Sequence, residues 1–218
     1  SEGVRRLTVP VSFAHIEECG RLNGDAVCFV SCRTVSVEAV PVNSRKLNVT
    51  VQLCCEIECY GKAECTVTEQ VELPKIQLLR ASRSVSFVRQ VCPSAITVLE
   101  DMPLQEAGDL QLLHTGCELR LGECRAMRGK AVLKGEAVLR CLALQEDGAV
   151  RTLSDSTPFT QIIDVPELQE GEPVSARLAV RALDCRIASD QLLSSTVSAD
   201  VMLVVRETRE VQQIRDLY

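Results

Sequence analysis

The side chains with the most chemistry to offer in this sequence are its twelve cysteines. A thiol can ligate a metal, form a disulfide, or fill a core as a small apolar group. The close spacings are Cys28/Cys32, Cys54/Cys55, Cys55/Cys59, Cys59/Cys65 and Cys117/Cys124. None is the CxxC knuckle of structural zinc, and CxxCH, the covalent haem signature, does not occur. No metal or other cofactor is expected, and a cysteine-rich metal-binding or redox protein is kept as a second alternative. Along an extended strand, positions four apart lie about 13 Å from each other, beyond the roughly 7 Å Cα limit of a disulfide. Cys28 therefore cannot bridge Cys32, nor Cys55 Cys59, if both stretches are strands. Any bridge must be cross-strand, cross-domain or between molecules. Seven of the twelve cysteines fall within residues 19–65, so covalent links are expected to concentrate there.

Other catalytic chemistry is thin. His15 and His114 stand about a hundred residues apart with no Cys or Ser nucleophile in register. Gly-rich phosphate loops, HExxH and GxSxG are missing from the sequence. The expectation is a protein that is not an enzyme. The Asn48-Val49-Thr50 sequon reads as a strand coincidence.

The elements that must position the cysteines are strands. KLNVTVQLCCEIECY (46–60) alternates: Leu47, Val49, Val51, Leu53, Cys55, Ile57 and Cys59 on one face, Asn48, Thr50, Gln52, Cys54, Glu56 and Glu58 on the other. Cys55 and Cys59 are on the apolar face and are expected as buried-core thiols. Cys54 faces the polar side, where a free thiol is a liability unless paired, and is the first candidate for an intermolecular bridge. Cys28, Cys32, Cys19, Cys65, Cys117 and Cys124 complete the cross-link candidates. Similar alternation in 130–144, 173–187 and 195–207, with turns at Glu146-Asp147-Gly148 and Gln169 to Glu172, gives an all-β, antiparallel, sandwich-like class. Val211, Ile214 and Leu217 recur every three residues, and the tail is expected to fray rather than form a helix.

Bulk properties narrow the classes further. Apolar residues make up 46% and charged residues 25%, a balance that folds. A net charge of -6 argues against nucleic acid, which is bound first through a basic patch. The densest basic stretch, Arg125, Arg128 and Lys130, reads as a solvated turn. Apolar runs such as Val201 to Val205 fall far short of the roughly 18 to 20 residues of a spanning helix. The opening SEGVRRLTVP has no apolar signal core and no Met, so the start is expected to be processed or cut from something longer.

The chain also resembles itself. Phe13 meets Phe159 and Ile16 meets Ile162 at an offset of 146, which makes these four the expected repeat core. With one insertion Gly24 meets Gly171 and Val27 meets Val174; with another, Val49, Val51 and Leu53 meet Val197, Ala199 and Val201. The repeat unit is then about 147 residues. Residues 1–70 correspond to the C-terminal half of a first domain, and 71–218 to one complete copy. Half a β-domain exposes a sheet edge and an apolar face, so either truncation of a longer protein or strand exchange between subunits is expected.

The segment GKAVLKGEAVLRCLALQEDGAVRTLSDSTPFTQIIDVPELQEGEPVSARLAV (129–180) resembles the SPOCS domain of endospore-forming Firmicutes. The residues that carry the likeness are Lys134, Gly135 and Glu136, then Pro158, Phe159, Ile162 and Ile163, then Glu170 and Gly171. It extends upstream to QLLHTGCELRLGECRAM, and PVNSRKLNVTVQL (41–53) looks like the family's Asn-x-Arg-Lys strand. The resemblance implies tandem β-domains in a non-catalytic protein of spore coat and cortex morphogenesis, located in the spore envelope or at the spore surface. Well-known members carry a C-terminal LysM module, which is not found here, and the cysteine load is heavier than the family's. The first departure leaves peptidoglycan attachment unsupported; the second favours a cross-linked structural subunit, and the expectation is a self-assembling component of a coat layer or surface filament. Its partners would be copies of itself and other spore envelope proteins, held by strand complementation and intermolecular disulfides. An adaptor that recruits another morphogenetic protein is the alternative.

Overall fold

A computed structural model describes residues 7–20, 22, 24–64, 66, 68, 77–104, 110–189 and 192–217. Eight antiparallel strands make up the described structure. The chain is all-β, and it divides into two units.

The first unit, Phe13–Lys62, is one long hairpin: β1 (Val27–Asn43) and β2 (Lys46–Tyr60). β-branched residues at alternate positions suit a pleated surface, and the register runs from Val27 opposite Tyr60 to Asn43 opposite Lys46. At the turn, the Asn43 side-chain oxygen accepts the Arg45 backbone N–H at 2.9 Å, the local bond that makes Asn a turn former.

The second unit carries β3 (Leu78–Pro103), β4 (Gln111–Met127), β5 (Lys130–Leu144), β6 (Val150–Asp164), β7 (Val174–Ser189) and β8 (Leu192–Leu217). Two three-stranded sheets, β4-β5-β6 and β3-β8-β7, face each other as a sandwich. Their shared core takes Ile96 and Val98 from β3, Ala131, Leu133 and Ala137 from β5, Phe159 and Ile163 from β6, and Val197 to Val205 at alternate positions of β8. The β5–β6 turn is set by Gly148 at φ 83°, a conformation that favours glycine, and by Asp147, whose carboxylate accepts the Ala149 N–H at 2.9 Å. The connection from β6 to β7 crosses between the sheets with Val165 and Leu168 fully inside. Glu172 pins that crossing to β3 through Arg89 at 2.9 Å.

Two features of the strands differ from the sequence reading. The tail does not fray: β8 continues to Leu217 and pairs with β3 along its length. A partner strand satisfies the backbone there, so the three-residue recurrence of apolar side chains has no bearing on the outcome. The self-similarity needs no insertions either. β1–β2 skips a residue between Thr34 and Ser36 and between Pro41 and Asn43; β7–β8 does so between Val180 and Ala182 and between Ile187 and Ser189. Each irregularity recurs at an offset of 146, and so do the partners, since Thr34 faces Leu53 and Val180 faces Ala199. One constant offset therefore relates the two hairpins, and it places Cys28 at Val174, Cys32 at Leu178, Cys55 at Val201 and Cys59 at Val205.

Candidate functional site

Among the described residues, the cysteine-rich hairpin of β1 and β2 is a two-stranded sheet with an exposed apolar face. Its register puts Cys28, Val30, Cys32, Val37, Ala39 and Pro41 of β1 on the same face as Leu47, Val49, Val51, Leu53, Cys55, Ile57 and Cys59 of β2. Because β1 contains a bulge at Val35, its apolar residues shift phase to stay opposite those of β2. No charged side chain is on this face. The other face is polar: Ser36 donates a hydrogen bond to Gln52 at 2.8 Å, and Tyr60 donates to Glu58.

Two disulfides cross the hairpin on the apolar face. Cys28 bonds Cys59 with Cα atoms 4.1 Å apart, and Cys32 bonds Cys55 with Cα atoms 4.2 Å apart. Each joins residues directly opposite in the ladder, where antiparallel geometry brings Cα atoms close. This corrects the expectation of Cys55 and Cys59 as buried thiols: Cys55 is exposed, Cys59 half-buried, and both are oxidised. It also makes Cys28 and Cys32 links within the hairpin rather than between domains or molecules. The pairing of Cys28 with Cys59 is not visible in local spacing, since the register that creates it depends on the bulge at Val35.

The apolar face is open. Val49 is 51% exposed, Val51 50% and Ile57 48%, whereas Ser195, Val197 and Leu203 at the same offset in β8 are 3%, 0% and 0%. Phe13, His15 and Glu17 line one shallow groove over Leu53, Cys55 and Ile57, with His15 Nε2 3.1 Å from the Glu17 carboxylate. Of the expected repeat core, only Phe159 is buried. Phe13 and Ile16 are largely exposed, and Ile162 is exposed because three residues from Phe159 is the opposite face of a strand. Its neighbour Ile163 takes the core position.

The other cysteines divide by exposure. Cys54 is a free thiol, half-buried on the polar face opposite Arg33, and Cys19 is free and exposed. Cys65 lies outside the described residues. Cys117 and Cys124 are free, and burial pushes both thiols up to about 11. That shift lowers the thiolate fraction available for disulfide exchange, and both side chains are half-buried against the sandwich core. Sequence spacing missed Cys141 and Cys185, which join Cys117 at the interface between β4, β5 and β7. Burial also pushes Cys141 up to about 11. Among the described residues, no group of three His, Cys, Asp or Glu side chains is arranged to hold a metal ion.

The likeness residues meet across two strands. Lys134, Gly135 and Glu136 of β5 stand opposite Thr160, Phe159 and Pro158 of β6. A Cβ at position 135 would sit 2.8 Å from the Phe159 ring, so the ring packs directly on the glycine. Residues 110–188, from the start of β4 to the end of β7, match the family described as SipL, SPOCS domain. The chain carries a SPOCS domain. No curated protein and no solved structure matches the chain. The SPOCS match takes in the whole β4-β5-β6 sheet and β7, while β3 and β8, which complete the sandwich, flank it. Of the likeness residues, Gly135 and Phe159 pack on each other between β5 and β6, while Lys134, Glu136 and Pro158 are exposed.

Proposed function

We propose that the protein is a non-enzymatic structural subunit of the spore envelope that self-associates, in a coat layer or a surface filament. The SPOCS domain suggests a sporulation-related role. The observation that carries the structural reading is the exposed apolar face of β1–β2, crossed by two disulfides. Contiguous apolar surface of this kind marks a contact site, and the outer edges of β1 and β2, which pair with no further strand among the described residues, offer strand complementation alongside it. Cys54, free on the polar face, is the candidate for a covalent link between subunits. Disulfides persist where the environment is oxidising, so the bridges would form as the spore matures or at its surface.

Negative-stain electron microscopy of the purified, oxidised protein tests this reading. Filaments, sheets or defined oligomers are expected. Monodisperse monomers at high concentration, together with a saturable one-to-one complex with another envelope protein, would replace it with an adaptor role.

A further inference from the structure

A row of sulfur and oxygen side chains crosses the interior of the second unit between its two sheets. In the β3-β8-β7 sheet, Glu100, Ser195 and Cys185 stand in register, and Glu100 and Ser195 are buried. On the opposing sheet, Thr115 of β4 pairs with Cys141 of β5, and Cys117 follows two residues along β4. Cys117, Cys141 and Cys185 pack into one cluster with Leu139, Leu183 and Leu193. Within it, the Cys141 and Cys185 thiols share a hydrogen bond from sheet to sheet, and Cys185 also bonds the Thr115 side chain. We propose that Cys141 and Cys185 are a dithiol site that closes to a disulfide between the two sheets, with Cys117 left outside the bond.

Register selects this pair. Cys117 faces Leu139 and Cys141 faces Thr115, so the two thiols lie on a diagonal of one ladder, where Cα atoms are about 7–8 Å apart and outside the reach of a disulfide. Cys185 meets Cys141 from the other sheet, the direction taken by the bridge of immunoglobulin-type sandwiches. The Glu100 carboxylate opposes a thiolate at Cys117, which makes Cys117 the less suited to attack. A small disulfide such as oxidised glutathione supplies the oxidant. The thiolate of Cys185, the less buried of the pair, attacks one of its sulfurs, forms a mixed disulfide and releases one glutathione thiolate. Cys141 gives up its proton to solvent and attacks the Cys185 sulfur, expelling the second glutathione as thiolate. Both released thiolates take up a proton, so two protein thiols are oxidised as one small disulfide is reduced to two thiols. Burial raises both thiols, so closure is slow at neutral pH and quickens as pH rises. The bond ties the central strand of one sheet to an edge strand of the other, and thereby locks the sandwich covalently.

The test is to equilibrate the full chain in glutathione buffers of increasing oxidised fraction, alkylate the free thiols in denaturant, and map the peptides without reduction. The expected product is the Cys141 peptide joined to the Cys185 peptide, two hydrogens lighter than the separate thiols. Its formation should raise the thermal midpoint by about 5–10 °C. Cys117→Ser is expected to keep both the bridge and the shift, and Cys185→Ser to lose both. The wild-type map decides the matter by itself if either variant fails to fold. A bridge from Cys185 to Cys117 would overturn the inference. So would Cys141 recovered fully alkylated at the most oxidising ratio, with Cys28–Cys59 and Cys32–Cys55 intact. Neither result bears on self-association.

Discussion

At Gly135 an added methyl would sit 2.2 Å from the Arg120 carbonyl oxygen and 2.8 Å from the Phe159 ring, closer than any relaxation of one side chain can absorb. Gly135→Ala is therefore expected to destabilise the SPOCS sheet by about 1–3 kcal/mol, the range for overpacking, read as a lower urea midpoint with an unchanged slope. The buried thiols make a second prediction at this scale. An unfolded thiol ionises near 9.0, whereas burial holds Cys117, Cys124 and Cys141 at about 11. The unfolded chain then binds fewer protons than the native one between these values, so stability falls as pH rises from about 9 to about 11 and is unaffected below. Thermal melts across that range should show the loss, and serine at Cys124 should reduce it. Residue-level reading of the sequence placed Cys54 correctly on the polar face, because strict alternation in β2 fixes it. It misplaced Cys55 and Cys59, because burial depends on a second sheet that alternation in one strand does not report.

The two equivalent hairpins allow the same substitution to be compared with and without a covering sheet. Leu203 of β8 is fully buried, and its counterpart Ile57 of β2 is 48% exposed. Leu203→Ala is expected to cost about 2–5 kcal/mol of stability, as for buried leucines. Ile57→Ala should cost less than about 1 kcal/mol in dilute solution, where little area is removed from water in the first place. Paired denaturation curves decide it, and equal losses would show that the hairpin face is covered within one chain. The disulfides carry the stability of β1–β2 instead. They close separations of 31 and 23 residues; either one alone is worth about 3.5 kcal/mol by chain entropy, and because they are nested the second adds less. Replacing Cys32 and Cys55 together with serine should accelerate amide exchange in β2 while leaving β8 unchanged. Strand identity was legible at this scale, since β2, β5, β7 and β8 all show in the alternation. Register was not, because Val, Ala and Leu substitute freely at core positions and only the bulges at Val35 and Arg181 fix the constant offset.

For the molecule as a whole, one unit meets its need for a core internally and the other does not. The SPOCS sandwich seals β8 between two strands and beneath a second sheet, whereas the equivalent hairpin near the N-terminus has disulfides where its counterpart has core valines and a leucine. The sequence pointed to a repeat, an all-β class and the SPOCS likeness through Gly135 and Phe159, which face each other across β5 and β6. It did not show that the cysteines bond within the hairpin, because that follows from three-dimensional register rather than spacing. The structural reading is that this stapled, open face joins one molecule to the next. Light scattering of the oxidised full chain over a hundredfold range of concentration tests that claim most directly. The account predicts an average mass that rises with concentration from that of one chain to at least two. A mass equal to one chain throughout would contradict it.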